Sequence, residues 1–224
     1  MANILCLETA TTNCSVAVGI DGKIKSLVEE NTPNYSHSEQ LHVFVERALA
    51  EASISLADLD VIAVSKGPGS YTGLRIGVSA AKGLCFALDV PLISIPTLKS
   101  MAAQIRLKHD EVVIPLLDAR RMEVYSRAFD EKNRALSETK AEIITENSFE
   151  EYKSYQKVHL IGNGAIKCTG VLQDNVFEFH TDIIPSANEM VTLAQEKYTT
   201  ATFEDVAYFE PYYLKDFVLG GHKK

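Results

Sequence analysis

Two acidic residues are the first candidates for a chemical role in this sequence of 224 residues. Glu8 and Asp118 each end a hydrophobic run just before a turn. Two carboxylates that face each other across a cleft would suit a magnesium–nucleotide complex. The turn that starts at Thr9 is rich in hydroxyl groups that could contact phosphate. Acidic residues also cap turns routinely, and the sequence alone leaves these two interpretations open.

The glycine-rich stretch at 65–83, SKGPGSYTGLRIGVSAAKG, is the second candidate. Glycine turns that open helices often hold phosphate, because free backbone N–H groups and the helix dipole point at one spot. A P-loop needs glycine at the sixth position, where counting from Gly67 gives Thr72. The fingerprint G-x-G-x-x-G fails at the same residue. The stretch is therefore predicted to form a tight turn and a helix start, not a phosphate site.

Small residues recur every four positions in the helix that should follow this turn, at Gly73, Gly77 and Ala81. A helical glycine costs about 1 kcal/mol relative to alanine, so the stripe indicates that another backbone approaches closely. That backbone belongs either to the same lobe or to another subunit, and we favour the second as a hypothesis. The predicted docking surface joins this helix to the outer face of the preceding one and comprises His42, Val43, Glu46, Tyr71, Gly73, Leu74, Gly77, Val78 and Ala81.

No pair of histidines has the spacing of a metal site. His37 and His42 are five residues apart, which on a helix separates them by about 140°. The other histidines are scattered, at His109, His159, His180 and His222. The nucleophile elbow G-x-S-x-G is also missing, because Gly69 directly precedes Ser70. The sequence thus predicts no metal ligand and no catalytic residue.

The net charge, the apolar runs and the cysteine spacing each argue against a class of function. The net charge of −8 argues against direct binding to nucleic acid, and the basic cluster at 222–224 is too short to supply a basic face. No apolar run approaches the roughly 20 residues that a membrane helix needs, and the start MANILCLETA is not expected to act as a signal peptide. The four cysteines form no CxxC pair, which favours buried, reduced thiols in a cytoplasmic protein.

The elements that must position these residues follow an α/β order. Strands are predicted at 3–7, 15–20, 23–28, 61–64 and 91–95, and helices at 36–52, from the glycine turn to about 88, and at 98–106. Asp21 and Gly22 predict a hairpin, and Ser36 with Glu39 predicts a capping box. Three strands followed by alternating helices and strands imply a mixed sheet with right-handed crossovers.

Two sequence echoes indicate an internal duplication. The segment VVIPLLDARRMEVYS resembles ILCLETATTNCSVAV, since in both an acid ends a strand before a turn. VHLIGNGAIKCTG resembles VIAVSKGPGSYTG, since in both a strand leads into Gly-x-Gly and Thr-Gly. We therefore expect two related lobes, at 1–106 and 107–224, with the second smaller and less regular.

The segments ETATTNCSVAV, HSEQL, GPGSYTGLRIGVSAAKGLCFAL and VPLISIPTLKSMA resemble the bacterial TsaB (YeaZ) family, as do the weaker DARRMEVYSRAF, IGNGA and EPYYLK. The resemblance implies two ribonuclease-H-like lobes of the actin/Hsp70 ATPase superfold, the second degenerate. Two departures stand out: Glu8 replaces an expected aspartate, and Lys215 replaces an expected arginine, which puts a bidentate contact there in doubt.

The resemblance also implies a function. TsaB proteins help to install threonylcarbamoyl on the adenosine next to the anticodon of ANN-decoding tRNAs, as non-catalytic partners of the paralogue TsaD and the ATPase TsaE. The predicted docking surface would pair two copies of the chain when it is alone, and the net charge of −8 predicts only indirect contact with tRNA. ATP and magnesium are expected at the level of the complex. The alternative is an ATP-dependent phosphotransferase on the same fold, for which Glu8, Thr9 and Asp118 would form a nucleotide site. An older glycoprotease label finds no support in these residues.

Overall fold

The first half of the chain folds into a five-stranded mixed sheet. In the computed structural model, which describes residues 2–33 and 37–215, the strands run in the order β3-β2-β1-β4-β5. The first three strands form an antiparallel meander, and β4 and β5 run parallel to β1. The strands are β1 (Asn3–Glu8), β2 (Asn13–Ile20), β3 (Lys23–Asn31), β4 (Val61–Gly67) and β5 (Leu92–Pro96).

Two long helices cover one face of this sheet, as the apolar periodicity predicts. α1 (His37–Ala52) and α2 (Tyr71–Leu88) bury Leu41, Phe44 and Val78 against the strands. Ser70 caps α2 by accepting a hydrogen bond from the Gly73 N–H. The third helix, α3 (Thr97–Ala102), stops four residues before the predicted end at Arg106. The predicted capping box at Ser36 lies outside the described residues.

The second sheet repeats the connectivity of the first, strand for strand. Its order is β10-β9-β6-β7-β8, in which β7 is antiparallel to β6 and β9 is parallel to it. The strands are β6 (Glu111–Asp118), β7 (Glu123–Ser126), β8 (Lys140–Ile143), β9 (Lys157–Ile161) and β10 (Phe177–His180). β6 therefore corresponds to β1 and β9 to β4, which are the pairs that the two sequence echoes relate.

Short 3₁₀ turns stand where the first lobe has its helices. Glu150–Tyr152 lies between β8 and β9, where the first lobe has α1, and Asn163–Lys167 follows β9, where it has α2. The second lobe keeps its own apolar core, which includes Leu116, Leu160 and Phe177. The sheet is thus retained while the helical layer is reduced, which is the degeneration that the sequence predicts.

The chain returns to the first lobe after β10. α4 (Met190–Thr199) packs on the face of the first sheet opposite α1 and α2, where Met190 and Val191 join a core with Ile4 and Ile93. α4 thus packs on the first lobe, although the predicted division into 1–106 and 107–224 assigns it to the second. No signal in the sequence separates this segment from β10, since its partners on the first sheet are more than ninety residues away.

The fold class is the one predicted: two ribonuclease-H-like lobes of the actin/Hsp70 superfold, the second smaller and degenerate. All four cysteines are buried and free, as expected. Over 2–33 and 37–215, none of the helices combines the length and apolar character required to cross a bilayer.

Candidate functional site

A cleft of about 750 Å³ lies between the two lobes, at the carboxyl ends of β1, β4 and β6. Ligands of open α/β sheets usually bind at such strand ends. The cleft is lined by 10–12, 68–72, 117–120, 125, 163 and 212–215. These residues include Asp118, and they do not include Glu8 or Thr9.

Glu8 is buried completely and faces the interior of the first lobe. Its Oε1 accepts hydrogen bonds from the Ala10 N–H and the Ser65 hydroxyl, both at 2.7 Å. Burial raises the pKa of this carboxyl to about 7, although the Ala10 N–H and the Ser65 hydroxyl act in the opposite direction. Glu8 is thus a turn-capping residue, and its predicted role opposite Asp118 is corrected.

Thr9 is also fully buried, and its hydroxyl donates to the Gly73 carbonyl at 2.8 Å. That bond ties the turn after β1 to the first turn of α2. The hydroxyl is therefore committed to the fold and does not face the cleft. The predicted contact between Thr9 and phosphate is therefore corrected: like Glu8, Thr9 is buried in the first lobe.

Asp118 does line the cleft, but its carboxylate is paired with a lysine. Its Oδ1 accepts from the Arg120 N–H at 2.6 Å and from the Lys167 ammonium at 2.7 Å. The Asp118 N–H in turn donates to Asn163 at 2.9 Å. Among the described residues that line the cleft, Asp118 is the sole acid, so the predicted pair of facing carboxylates, which would suit a magnesium–nucleotide complex, is not formed there.

The EPYYLK segment closes one side of the cleft. The Tyr212 N–H donates to the Lys66 carbonyl at 2.7 Å, and the Tyr213 ring lies 4.9 Å from that of Tyr71, centroid to centroid. Lys215 forms an ion pair with Glu123 on β7. The C-terminal segment thus links the glycine turn of the first lobe to the second lobe, and Lys215 makes a single-nitrogen contact to a carboxylate there.

We expect the isolated chain to bind magnesium–ATP weakly, and Asp118→Asn to change that affinity by less than about twofold. The reason is that Asp118 is already paired with Lys167 and that Glu8 lies out of reach of the cleft. Calorimetric titration of both proteins measures this. Tight binding that the substitution abolishes would contradict the expectation and would favour the phosphotransferase alternative.

The glycine stripe of α2 faces inwards. A Cβ at Gly73 would lie 2.1 Å from the Thr9 carbonyl oxygen, and one at Gly77 would lie 2.2 Å from the Thr9 hydroxyl. Gly73, Leu74, Gly77, Val78 and Ala81 are all buried. The backbone that approaches this stripe is therefore the turn after β1 in the same lobe, and these five residues are removed from the predicted docking surface.

The two Gly-x-Gly turns share one packing role. In the first lobe a Cβ at Gly69 would lie 2.5 Å from the Ala10 carbonyl oxygen, just beyond β1. In the second, a Cβ at Gly164 would lie 2.9 Å from the Leu116 carbonyl oxygen on β6. Each glycine lets the turn after one strand pass close to the end of the neighbouring strand. This packing role accounts for the similarity of the two sequence segments without a phosphate-binding role.

The opposite side of α2 is open and forms an outer groove with α1. The groove has a volume of about 650 Å³ and is lined by Ser38, His42, Tyr71, Thr72, Arg75, Ile76, Ser79, Ala80, Gly83 and Leu84. His42 and Tyr71 of the predicted surface lie in it, and Val43 and Glu46 are exposed on the neighbouring face of α1.

Phe86, one turn beyond Gly83, is 88% exposed. Phe86 was not predicted from the sequence, although Thr72, Ser79 and Phe86 follow one another at intervals of seven residues and so lie on one face of the helix.

A second group that sequence spacing missed lies on the second sheet. His159 of β9 and Glu178 and His180 of β10 bring three ligand atoms to within 4.8 Å of one another. The histidines are 21 residues apart, and the parallel pairing of β9 with β10 brings them together. The prediction that the histidines are scattered is therefore wrong for this pair.

Comparisons with known proteins agree with the fold. A family model described as TsaD: tRNA N6-adenosine threonylcarbamoyltransferase matches 32–219. The tRNA threonylcarbamoyladenosine biosynthesis protein TsaB of Escherichia coli is 30% identical over 220 residues, covering 95% of this chain and 94% of its own. The Haemophilus influenzae protein of the same name is 32% identical, with coverages of 95% and 93%.

Solved structures show the same relationship. YeaZ from Pseudomonas aeruginosa superposes with a TM-score of 0.84 at 27% identity, over 96% of this chain and all of that one. Component A of the (R)-2-hydroxyglutaryl-CoA dehydratase of Acidaminococcus fermentans reaches a TM-score of 0.51 at 11% identity, covering 90% of this chain and 99% of its own. At that identity the second likeness concerns the fold alone.

Proposed function

Since the chain belongs to the TsaB (YeaZ) family of tRNA threonylcarbamoyladenosine biosynthesis proteins, we propose that it is a non-catalytic subunit that acts by binding TsaD. In this role it supports threonylcarbamoylation of the adenosine next to the anticodon of ANN-decoding tRNAs in the cytoplasm. TsaE joins the assembly, and TsaD supplies the transferase chemistry. The net charge of −8 fits a subunit that contacts tRNA only indirectly.

The observation that carries this proposal is the outer groove between α1 and α2. Its floor is apolar, because Ile76 and Leu84 are only partly buried by the lobe's own core. Val43 at 50% and Phe86 at 88% exposure flank it. An apolar groove of this kind, rimmed by polar side chains, is typical of a protein–protein contact.

The related fold of TsaD supports the choice of partner. The chain matches the TsaD model over 32–219, a range that includes α1 and α2. This likeness supports a pairing of corresponding helices of the two proteins across a pseudo-two-fold axis. The same geometry allows two copies of this chain to pair through α1 and α2. We therefore propose a homodimer for the isolated chain, which TsaD replaces by binding the same groove.

The character of the cleft supports a non-catalytic role. Among the described residues that line it, Asp118 is the sole acid, and histidine and cysteine do not occur. The other ionisable side chains there are cations and tyrosines, which do not supply a general base or a nucleophile at neutral pH without a strongly lowered pKa. The cleft is thus suited to holding the two lobes together through the EPYYLK segment.

Gly83→Arg tests the groove as the TsaD contact. No heavy atom lies within 4 Å of a Cβ built at Gly83, so the arginine should leave the fold intact and fill the groove with a charged side chain. We expect the affinity for TsaD to fall at least tenfold, which corresponds to about 1.4 kcal/mol, and threonylcarbamoylation by the reconstituted system to fall with it.

Gly170→Arg is the matched control, because Gly170 is exposed on the second lobe and a Cβ there also meets open space. It should bind TsaD as the unchanged chain does. Calorimetry or sedimentation measures both affinities, with circular dichroism to show that both variants fold. Unchanged binding by Gly83→Arg would place the contact elsewhere, and product formed by this chain without TsaD would overturn the non-catalytic role.

A further inference from the structure

The histidine cluster on the second sheet has the geometry of a metal site away from both the cleft and the groove. Side chains alternate along a strand, so His159 shares one face of β9 with Ile161, while Val158 and Leu160 enter the core of the second lobe. Glu178 and His180 share the same outer face of β10, and Phe177 packs in that core on the opposite face. The parallel register places Glu178 beside His159.

The distances between the ligand atoms fit a tetrahedral ion. Zn–N bonds of about 2.0–2.1 Å put two ligand nitrogens about 3.3–3.4 Å apart. The His159 Nδ1 lies 3.1 Å from the His180 Nε2, and that Nε2 lies 3.4 Å from the Glu178 Oε1. A small rotation of the Glu178 side chain, which is 42% exposed, closes the third edge of the ligand triangle.

A second carboxylate lies beside the buried ligand. The Glu111 Oε2 lies 3.4 Å from the His159 Nε2 and also accepts from the Lys108 N–H at 2.8 Å. Ligating histidines almost always donate their other N–H to a carboxylate or carbonyl group. Glu111 stands at the right place for that role, although its contact with the His159 Nε2 does not have hydrogen-bond geometry.

The two oxygens of the Glu178 carboxylate have different surroundings. Lys157 donates to Oε2 at 2.7 Å, whereas Oε1 lies 3.4 Å from the His180 Nε2. Oε1 is therefore the oxygen that faces the histidines and that would bind the metal.

We propose that His159, Glu178 and His180 form a zinc site, with a fourth position open to water. Two imidazoles and one carboxylate form a donor set that Zn²⁺ accepts readily. Because the ligands come from two neighbouring strands, the ion would join the edge strand β10 to β9. Its effect would be to stabilise the second lobe, which has only short 3₁₀ turns where the first lobe has long helices.

The test uses the full chain with any affinity tag removed, stripped of metal and titrated with Zn²⁺ in competition with a chromophoric chelator. We expect one Zn²⁺ per chain and a rise in Tm on adding the metal. His180→Gln and Glu178→Gln should each weaken binding at least tenfold and abolish the rise in Tm. Both side chains are partly exposed, so both variants should melt like the unchanged protein when no metal is present.

His109→Gln is the matched control, since His109 is an exposed histidine of the same lobe outside the cluster. It should bind Zn²⁺ as the unchanged chain does. Failure of the unchanged chain to bind one Zn²⁺ would overturn the proposal, as would binding that neither His180→Gln nor Glu178→Gln weakens. If His180→Gln fails to fold, the Glu178→Gln result decides alone.

Discussion

Replacing Gly73 with alanine is expected to destabilise the folded chain by about 3 kcal/mol or more. The new Cβ would lie 2.1 Å from the backbone carbonyl oxygen of Thr9, far inside van der Waals contact. Overpacking of a core costs about 1–3 kcal/mol and occasionally more, and here the obstacle is backbone at the end of β1, which cannot rotate away. Urea unfolding of the dilute protein measures the loss.

Gly83→Ala provides the control on the same helix. Nothing lies within 4 Å of a Cβ at Gly83, so the alanine should stabilise the chain by up to about 1 kcal/mol through helix propensity alone. The two identical substitutions are thus expected to have opposite signs. If Gly73→Ala left stability unchanged, α2 would not rest on the turn after β1, and the inward assignment of the glycine stripe would be wrong.

Glu8 should make the stability of the protein fall as the pH rises from about 5 to 8. The pKa of this carboxyl is raised by burial to about 7 in the folded chain, while in the unfolded chain it returns to about 4.3. Between these values the folded state holds the proton more tightly, so deprotonation favours unfolding. Between pH 5 and pH 8 the loss is roughly 2 to 3 kcal/mol, and the stability levels off at pH values above the folded pKa.

Glu8→Gln should remove this part of the pH dependence. The amide oxygen can still accept from the Ala10 N–H and the Ser65 hydroxyl, and the side chain keeps its shape. The buried Glu8 Oε2 has no hydrogen-bond partner among the described residues, so an amide nitrogen there imposes a cost that does not vary with pH. The quantity to compare is therefore the change in unfolding free energy between pH 5 and pH 8.

Glu51→Gln is the control, because Glu51 is exposed on α1. It should show the same pH dependence as the unchanged chain. A pH profile that Glu8→Gln does not flatten would mean that Glu8 is ionised in the folded protein and more accessible than the structure shows. That result would reopen its role as a metal-binding carboxylate.

Local patterns in the sequence determined the elements and their order. Alternating and helical apolar periodicity located β1 to β5 and α1 and α2, because burial of one face imposes its period on the chain. The two echoes identified the related pairs β1 with β6 and β4 with β9, which the sheet order then confirmed. The motifs around 61–103 were specific enough to indicate the family, which the comparisons confirmed.

Only the tertiary structure decided which way the chemical groups face. The sequence showed that something approaches Gly73 and Gly77 closely, and the fold identified it as Thr9. Glu8 and Asp118 end equivalent strands, yet one is buried and the other exposed, because the full helical layer covers only the first lobe. His159 meets His180, and α4 returns to the first sheet, through contacts between distant parts of the chain. Such contacts depend on strand pairing and packing in three dimensions, and local periodicity carries no information about them.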